Sequence, residues 1–309
     1  MTETTDPGGA GAVRAGRLWP AAGAALFIGA GAVLWATGST DVRLSADGGA
    51  PHPLWRILLP VALAMAAARL LPPVAPDGAD RPIRAALRGR RTGAEAVALL
   101  ACLAGFVAAG SGPGVLEVAY GLLYPVFKVV FLLAVPLLLL RLLDTGRDRG
   151  GPGLMAVAVR PRRPWQWAGL AAGAGYLWLA VFSPLARPGP SAEELPPLAF
   201  AVAGALPTLF TASVLEEVFF RVRLQTRLEA LLGRWAGIAL ASAAYGVMHI
   251  VSHRAFGDLT HDLAAAVAVQ GGMGLMLGYL WSRYRNAWTV IAVHAGINGL
   301  PMAALLAPG

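Results

Sequence analysis

Long apolar stretches constrain this chain more than any other feature of its sequence. Most of them approach the roughly 20 residues that an α-helix needs to cross about 30 Å of hydrocarbon. They are apolar on every side, whereas the strands of a membrane barrel would alternate apolar and polar residues. The sequence therefore predicts membrane-spanning helices at 19–40, 54–75, 94–112, 118–140, 165–186, 198–220, 235–252, 263–282 and 287–306.

Charged residues are few, and most of them lie between these stretches. Only 14% of the 309 residues are charged, against about 25% in an average soluble domain. The net charge of +8 comes mainly from arginines in short loops, a pattern typical of topology signals and phospholipid contacts. We therefore expect an integral membrane protein that contacts membrane lipid and has no nucleic-acid partner.

Arginine-rich loops alternate with arginine-poor ones along the chain. The loops 76–93 and 141–164 are rich in arginine, and shorter basic loops follow at 223–234 and 283–285. Because basic loops stay on the cytoplasmic side, this alternation predicts a cytoplasmic N-terminus. Lysine is nearly absent beside abundant alanine, glycine and arginine, which fits a GC-rich bacterial genome. The expected location is therefore a bacterial plasma membrane.

The domain organisation has to be inferred from where polar residues lie in the apolar stretches, because the composition changes little along the chain. We expect a cytoplasmic tail at 1–18, accessory transmembrane helices at 19–194, and a core at 195–306 that holds the candidate site residues described below. The fold class is all-α. We predict a polytopic bundle of eight or nine helices whose C-terminal four helices form the core.

The first candidate site is a pair of glutamates inside an apolar stretch, where charge is costly. Glu217 and Arg221 are four residues apart and share a helix face, whereas Glu216 lies about 100° around the helix. A poorly solvated carboxylate can act as a general base toward water. A buried Glu–Arg pair that only locks two helices together would leave the same pattern, so both interpretations stay open.

Two further motifs place polar side chains in later stretches. His249 follows Tyr245 by four residues, and Asn298 follows His294 by four. A lone histidine in an apolar helix is often only a satisfied core residue. His294 and Asn298, however, share a face and can donate hydrogen bonds toward one point, where an oxyanion or a metal-bound water would lie.

Glu216 and His249 lie at a similar depth in the membrane only if the helix that carries Glu216 is broken. A continuous span from Leu198 places Glu216 about 27 Å below the surface, whereas His249 lies about 22 Å from the opposite one. A helix that begins near Thr208 places Glu216 at about 12 Å, close to the level of His249. Because proline breaks helices, we predict a bend or an interruption at Pro207.

Taken in order, the three motifs resemble those of the CPBP family. This family includes the type II CAAX prenyl endopeptidases, bacteriocin-processing and immunity proteins, and the Abi proteins. The matching sequences are Glu-Glu-x-x-Phe-Arg at 216–221, an aromatic-x-x-x-His at 245–249, and His-Ala-x-x-Asn at 294–298. The resemblance covers about residues 195–305.

The resemblance implies an intramembrane endopeptidase. In it, Glu216 would activate a water molecule, and His249 would share the proton or hold the water. His294 and Asn298 would stabilise the oxyanion. Glu217 would belong to the catalytic set and, with Arg221, would fix its geometry and charge. Tyr245, which stands where the family usually has phenylalanine, would be a supporting residue.

The resemblance leaves the cofactor open. The family is commonly labelled as metalloproteases, and a metal-independent glutamate mechanism has also been argued for it. Zinc or another divalent metal could be held by His249, His294 and a carboxylate, although no His-Glu-x-x-His helix is present.

The resemblance also implies a substrate class and allows other functions. The implied substrate is a membrane-associated protein or peptide. The first alternative is a non-catalytic scaffold, immunity factor or regulator of the same family. A transporter with a proton relay is a further alternative, but it would predict inverted repeats, which the sequence does not show.

Overall fold

The chain folds into helices that follow the apolar stretches. The structure is a computed structural model that describes residues 7–43, 51–72, 77–111, 120–144, 153–186, 204–252 and 258–300. In this part of the chain the strands β1, Asp41–Val42, and β2, His52–Pro53, form an antiparallel hairpin. The α-helices are α1 Pro7–Ala36, α2 Leu54–Leu70, α3 Asp77–Leu87, α4 Thr92–Gly110, α5 Tyr120–Val129, α6 Val135–Leu142, α7 Leu154–Val159, α8 Gly169–Val181, α9 Thr226–Leu232, α10 Arg234–Met248, α11 Leu259–Ala266, α12 Gly272–Tyr284 and α13 Ala287–Gly299.

Short π-helical and 3-10 segments join several of these helices. A π segment at Val130–Ala134 connects α5 to α6, and another at Val267–Gly271 connects α11 to α12. Because the helix direction is kept through each junction, α5–α6 and α11–α12 each form one long helix. Two more π segments precede α9, and 3-10 turns lie at Pro164–Trp167 and His249–Ser252.

The helical architecture confirms the predicted all-α membrane bundle. Each predicted apolar stretch contains a helix in its described part. Among the described helices, four are long and apolar enough to cross a membrane: Leu18–Ala36, Thr92–Gly110, Leu123–Leu142 and Leu259–Tyr284. The protein is therefore an integral membrane protein, and the total of eight or nine spans stays a prediction.

The two arginine-rich loops contain helices that the sequence analysis did not predict. Helix α3 occupies most of the loop 76–93, with Ile83 and Leu87 buried and Arg81 and Arg84 exposed. An amphipathic helix of this kind has too few apolar residues to form an apolar stretch, and such helices commonly lie in the membrane interface. Helix α7 lies in the loop 141–164 and consists of apolar residues, of which Val157 and Ala158 are buried.

Of the predicted bend or interruption at Pro207, the interruption is wrong and the bend stays a prediction. Residues 204–208 are helical, and the backbone continues directly into the π segment Leu209–Leu215. The Thr211 hydroxyl donates a hydrogen bond of 2.8 Å to the Pro207 carbonyl. Membrane helices accommodate proline through such local π adjustments and side-chain hydroxyls, so the helix widens where a break was expected.

Small residues let the C-terminal helices approach one another closely. A Cβ atom added at Gly274 of α12 would lie 3.1 Å from the Cβ of Ser242 on α10. A Cβ atom at Gly278 would lie 2.8 Å from Oε1 of Gln225. Small residues four apart are a common contact motif between membrane helices. The close contact fixes α10, which carries Tyr245, against its neighbours.

Ion pairs at one end of the bundle tie the accessory helices to the core. Glu95 on α4 is fully buried, and its two oxygens accept hydrogen bonds from Nε of Arg227 at 2.7 Å and Nε of Arg90 at 2.9 Å. A buried carboxylate with two guanidinium partners satisfies the rule that buried charges are paired. Helices α4 and α9 are thereby held together.

Candidate active site

Glu216 and Glu217 lie between two π-helical segments. These segments are Leu209–Leu215 and Val218–Gln225. π-helical turns inside helices are frequent at functional positions. The two glutamates are almost completely buried, at 1% and 0% exposure. Because consecutive residues point about 100° apart around a helix, the two carboxylates contact different partners.

The Glu216 carboxylate divides its two oxygens between two partners. Its Oε1 accepts a 2.5 Å hydrogen bond from Nζ of Lys128 on α5. Its Oε2 lies 4.0 Å from Nε2 of His249, beyond direct hydrogen-bond distance. Oε2 is buried and has no hydrogen-bond partner among the residues that the structure describes. One oxygen of Glu216 is therefore anchored, and the other faces His249.

His249 is oriented by the backbone of its own helix. Its Nδ1 lies 2.9 Å from the carbonyl oxygen of Tyr245. Since a carbonyl only accepts hydrogen bonds, Nδ1 carries the proton, and in the neutral ring Nε2 is then an acceptor. His249 directly follows the last residue of α10, Met248, and is the first residue of the 3-10 turn His249–Ser252. The end of this helix thus presents Nε2 toward Glu216.

Glu217 pairs with a histidine and an arginine. Its Oε1 accepts a 2.8 Å hydrogen bond from Nδ1 of His294 on α13. Its Oε2 lies 3.2 Å from Nε of Arg221, which is fully buried and lies one turn later in the same helix. The predicted shared face of Glu217 and Arg221 is therefore observed as an ion pair. A carboxylate on Nδ1 fixes the orientation of the His294 ring.

Tyr245 packs between the two histidines. Its ring centroid lies 4.6 Å from that of His249 and 6.1 Å from that of His294. The Tyr245 hydroxyl lies 3.4 Å from Nε2 of His294, and the Arg221 guanidinium lies 4.8 Å from the Tyr245 ring centroid. Tyr245 therefore joins the Glu216 and Glu217 contacts into one buried group.

Asn298 contacts the glutamate-bearing helix one turn before Glu217. Its side-chain Nδ2 donates a 3.2 Å hydrogen bond to Oγ of Ser213, which is fully buried. His294 contacts the same helix at Glu217. The two residues that were predicted to share a face of α13 therefore both point toward this helix.

We call the resulting group the central cluster. It consists of six predicted site residues that contact one another, with Asn298 attached through Ser213. Its two carboxylates face two fixed cations, Lys128 and Arg221, so that its buried charges are balanced. The roles of the individual residues stay predictions. The six are Glu216, Glu217, Arg221, Tyr245, His249 and His294.

Two residues of this site were not among the predicted site residues. Lys128 is the only lysine of the chain and lies within an apolar stretch, so its sequence position already carried a signal. Its glutamate partner is 88 positions away, which no helical spacing could have revealed. Ser213 carried no signal, because a serine in an apolar helix is common.

The described side chains do not form a three-ligand metal site. Among them, no group of three or more His, Cys, Asp and Glu residues is arranged to hold a metal ion. Nε2 of each histidine would be the ligating atom, since Nδ1 of His249 faces a carbonyl and Nδ1 of His294 a carboxylate. Zinc binding by His249 and His294 stays a prediction, and no chemical step is assigned to a metal.

Comparison with known proteins identifies the segment that carries this cluster. Residues 198–300 match the family model described as Type II CAAX prenyl endopeptidase Rce1-like. The resemblance inferred from the three motifs is therefore confirmed for the C-terminal segment of the chain. No curated protein and no solved structure matches the chain.

Proposed function

We propose that the Rce1-like segment hydrolyses a peptide bond of a membrane-associated protein or peptide, with Glu216 as the general base. The observation that carries the proposal is the pair formed by Glu216 Oε2 and His249 Nε2, buried and 4.0 Å apart. Two acceptors at this separation can both lie about 2.8 Å from one water oxygen. A water molecule held there would direct one hydrogen to each of them.

The first chemical step would be attack of this water on the peptide carbonyl carbon. Its oxygen forms the new bond to carbon while its proton passes to Glu216, and the carbonyl oxygen becomes an oxyanion. Collapse of the tetrahedral intermediate breaks the C–N bond, and Glu216 returns the proton to the leaving amine. General acid–base catalysis of this kind contributes about 10²–10⁴-fold to a rate.

His294 and Asn298 would stabilise the oxyanion. The Asn298 amide nitrogen carries two hydrogens, so one can donate to Ser213 while the other donates to the oxyanion. With the Glu217 carboxylate on its Nδ1, His294 can carry the second proton that a donor at Nε2 needs. Preorganised donors of this kind in a dry site commonly make a large contribution to catalysis.

The cellular setting belongs to the same proposal. The arginine distribution supports an N-terminus in the cytoplasm, and the composition supports a bacterial plasma membrane. A membrane-associated peptide or protein could then reach the buried cluster from within the bilayer. Prenylated proteins with a C-terminal CAAX sequence are one substrate class that the family description suggests.

The test is a comparison of peptide termini in membrane fractions from cells that carry the wild type or Glu216→Gln. We expect one or more precursors to accumulate uncleaved in the variant. The matched control is Asp258→Asn, the same carboxylate-to-amide change at an exposed position of the same segment. Identical termini in all three strains, with the Glu216 variant folded and inserted, would refute the proposal.

A non-catalytic role has one observation in its favour. Each carboxylate of the central cluster already has a cation beside it, Lys128 for Glu216 and Arg221 for Glu217. Such pairs can serve only to specify how helices pack. If a cellular phenotype of the deletion strain is rescued equally by the wild type and by Glu216→Gln, the scaffold or immunity function is correct.

A further inference from the structure

A second polar site lies at the arginine-rich ends of the helices, away from the central cluster. It is a cavity of about 270 Å³, far larger than a single water molecule needs. Its walls come from α3, α9, the first residue of α10, and the turn between α12 and α13. The charged residues that line it are Asp80, Arg84, Glu229, Arg234 and Arg285.

The positions of the lining residues on their helices indicate that the cavity lies at the level of the membrane interface. Arg285 is in the short turn between two apolar helices, and Arg234 is the first residue of another. Helix α3 lies between the end of α2 and the start of α4. Helix termini and surface helices lie where lipid headgroups lie. Any ligand of this cavity is therefore positioned among phospholipid headgroups.

The acceptors that line the cavity are already engaged within the protein. The two oxygens of Glu229 accept hydrogen bonds from Nε2 of Gln225, at 2.7 Å, and from Nη2 of Arg285. Oδ1 of Asp80 accepts from Nε of Arg285 at 2.8 Å. The Thr226 hydroxyl donates to the backbone and accepts from an indole N–H. Both carboxylates that line the cavity therefore already pair with Arg285.

Donors, in contrast, remain in excess. Arg285 is only 4% exposed, and its Nη1 is buried without a hydrogen-bond partner among the residues that the structure describes. Nε of Arg234 is also buried without a hydrogen-bond partner among the described residues. Nη2 of Arg234 donates to the carbonyl of Ser282 at 2.8 Å. Arg84 is exposed on α3. Three guanidiniums stand against two carboxylates, Asp80 and Glu229, which leaves an excess of one positive charge.

We propose that this cavity binds the phosphate group of a membrane phospholipid. A phosphate oxygen accepts the hydrogen bonds that buried guanidinium nitrogens still have to donate, and arginine matches phosphate geometry. Basic pockets between membrane helices are known to hold lipid headgroups. Ile83 and Leu87 supply an apolar wall, which suits the glycerol and first acyl carbons of a lipid rather than a free phosphate ion.

The experiment uses the full-length protein purified in a neutral detergent, without any substrate. Its thermal midpoint is measured against rising concentrations of three probes: short-chain phosphatidylglycerol, inorganic phosphate, and a short-chain diacylglycerol that lacks phosphate. The test variant is Arg84→Gln, which changes an exposed side chain and leaves the buried core unaltered. The matched control is Arg81→Gln, the same charge change at an exposed position of α3 that does not line the cavity.

The expected result is saturable stabilisation by phosphatidylglycerol in the wild type and in Arg81→Gln. The apparent affinity of Arg84→Gln should be about tenfold weaker, the size of one charge-assisted hydrogen bond. The proposal fails if both variants respond alike, or if diacylglycerol stabilises as well as phosphatidylglycerol. It also fails if inorganic phosphate gives the full effect, because the ligand is then a free anion and not a lipid.

Discussion

Two groups of buried carboxylates in this protein differ in how completely they are paired. At the ends of the helices, Glu95 and Glu229 have a hydrogen-bond donor on each of their oxygens. In the central cluster, Oε2 of Glu216 and Oε2 of Glu217 are buried without a hydrogen-bond partner among the described residues. We call the first group the saturated pairs.

This difference separates a structural role from a chemical one. A buried carboxylate whose two oxygens both accept from fixed donors is stabilised as the anion, so it is better suited to holding helices together than to taking a proton from water. An incompletely paired one costs free energy, and each such group in a native structure calls for an explanation. For Glu216 the explanation we propose is that the second oxygen receives the nucleophilic water.

The largest effect expected from this comparison is on catalysis by Glu216→Gln. Glutamine keeps an oxygen that can accept from Lys128, so the fold should be retained with some loss of stability from the uncompensated ammonium, but it cannot act as a base. Cleavage of the natural precursor should fall by about 10²–10⁴-fold. Kinetics on the purified protein, with its thermal midpoint measured in parallel, check this. A folded variant that retains a tenth of the wild-type rate would remove the distinction between the two groups.

For a saturated pair we expect a large loss of stability and little change in activity. Glu95→Ala removes the shared partner of Arg227 and Arg90, and Arg227 is 3% exposed. Breaking a buried pair by removing one partner costs about 3–5 kcal/mol. Unfolding in denaturant should therefore show a large loss of stability, while the folded fraction keeps its activity. If Glu95→Ala is as stable as the wild type but inactive, Glu95 takes part in the reaction instead.

A double-mutant cycle at Lys128 sharpens the comparison within the central cluster. Lys128→Met leaves the Glu216 carboxylate buried without its cation, and we expect a loss of about 3 kcal/mol. Adding Glu216→Gln removes the uncompensated charge, so the double variant should be more stable than Lys128→Met alone. If the stability lost in the double variant equals the sum of the losses in the two single variants, Lys128 and Glu216 are not energetically coupled.

The smallest effect on stability is expected from removing an exposed carboxylate. Asp258 accepts a hydrogen bond from the backbone N–H of Thr260 at the start of α11, and the hydrogen bond with His261 lowers the pKa of its carboxyl group. The stabilisation is therefore present above the unfolded pKa of about 3.9 and is lost as the pH falls through the lower folded value. Amide exchange in the first turn of α11 should increase slightly in Asp258→Ala at neutral pH. An effect as large as that of Glu95→Ala would contradict the account.

Much of the fold could be predicted from the sequence, because a membrane leaves few choices. Long apolar stretches are helical whatever their neighbours, so helices were expected at each position where the structure has a long one. Helix α3 was missed because its apolar residues are periodic and not continuous. The π segment after Pro207 was missed because sequence rules describe how proline breaks a helix, and not how its neighbours redistribute hydrogen bonds.

The candidate site was predictable only where a motif is local. The Glu217–Arg221 pair follows from a spacing of four residues on one helix. The Lys128–Glu216 and Asn298–Ser213 contacts join residues 88 and 85 positions apart, and such contacts depend on how the helices pack. Lys128 was recognisable as a buried charge that needs a partner, but the sequence did not identify which partner.

The most direct test of the central claim follows one oxygen atom. The accumulating precursor is incubated in water enriched in ¹⁸O with purified wild type, Glu216→Gln or Asp258→Asn, and the new C-terminus is analysed by mass spectrometry. We predict a single ¹⁸O atom in the product carboxylate with the wild type and the Asp258 variant, and about a hundredfold less product, or less still, with Glu216→Gln in the same time. Product that forms at the wild-type rate with folded Glu216→Gln would contradict the claim that Glu216 activates the water.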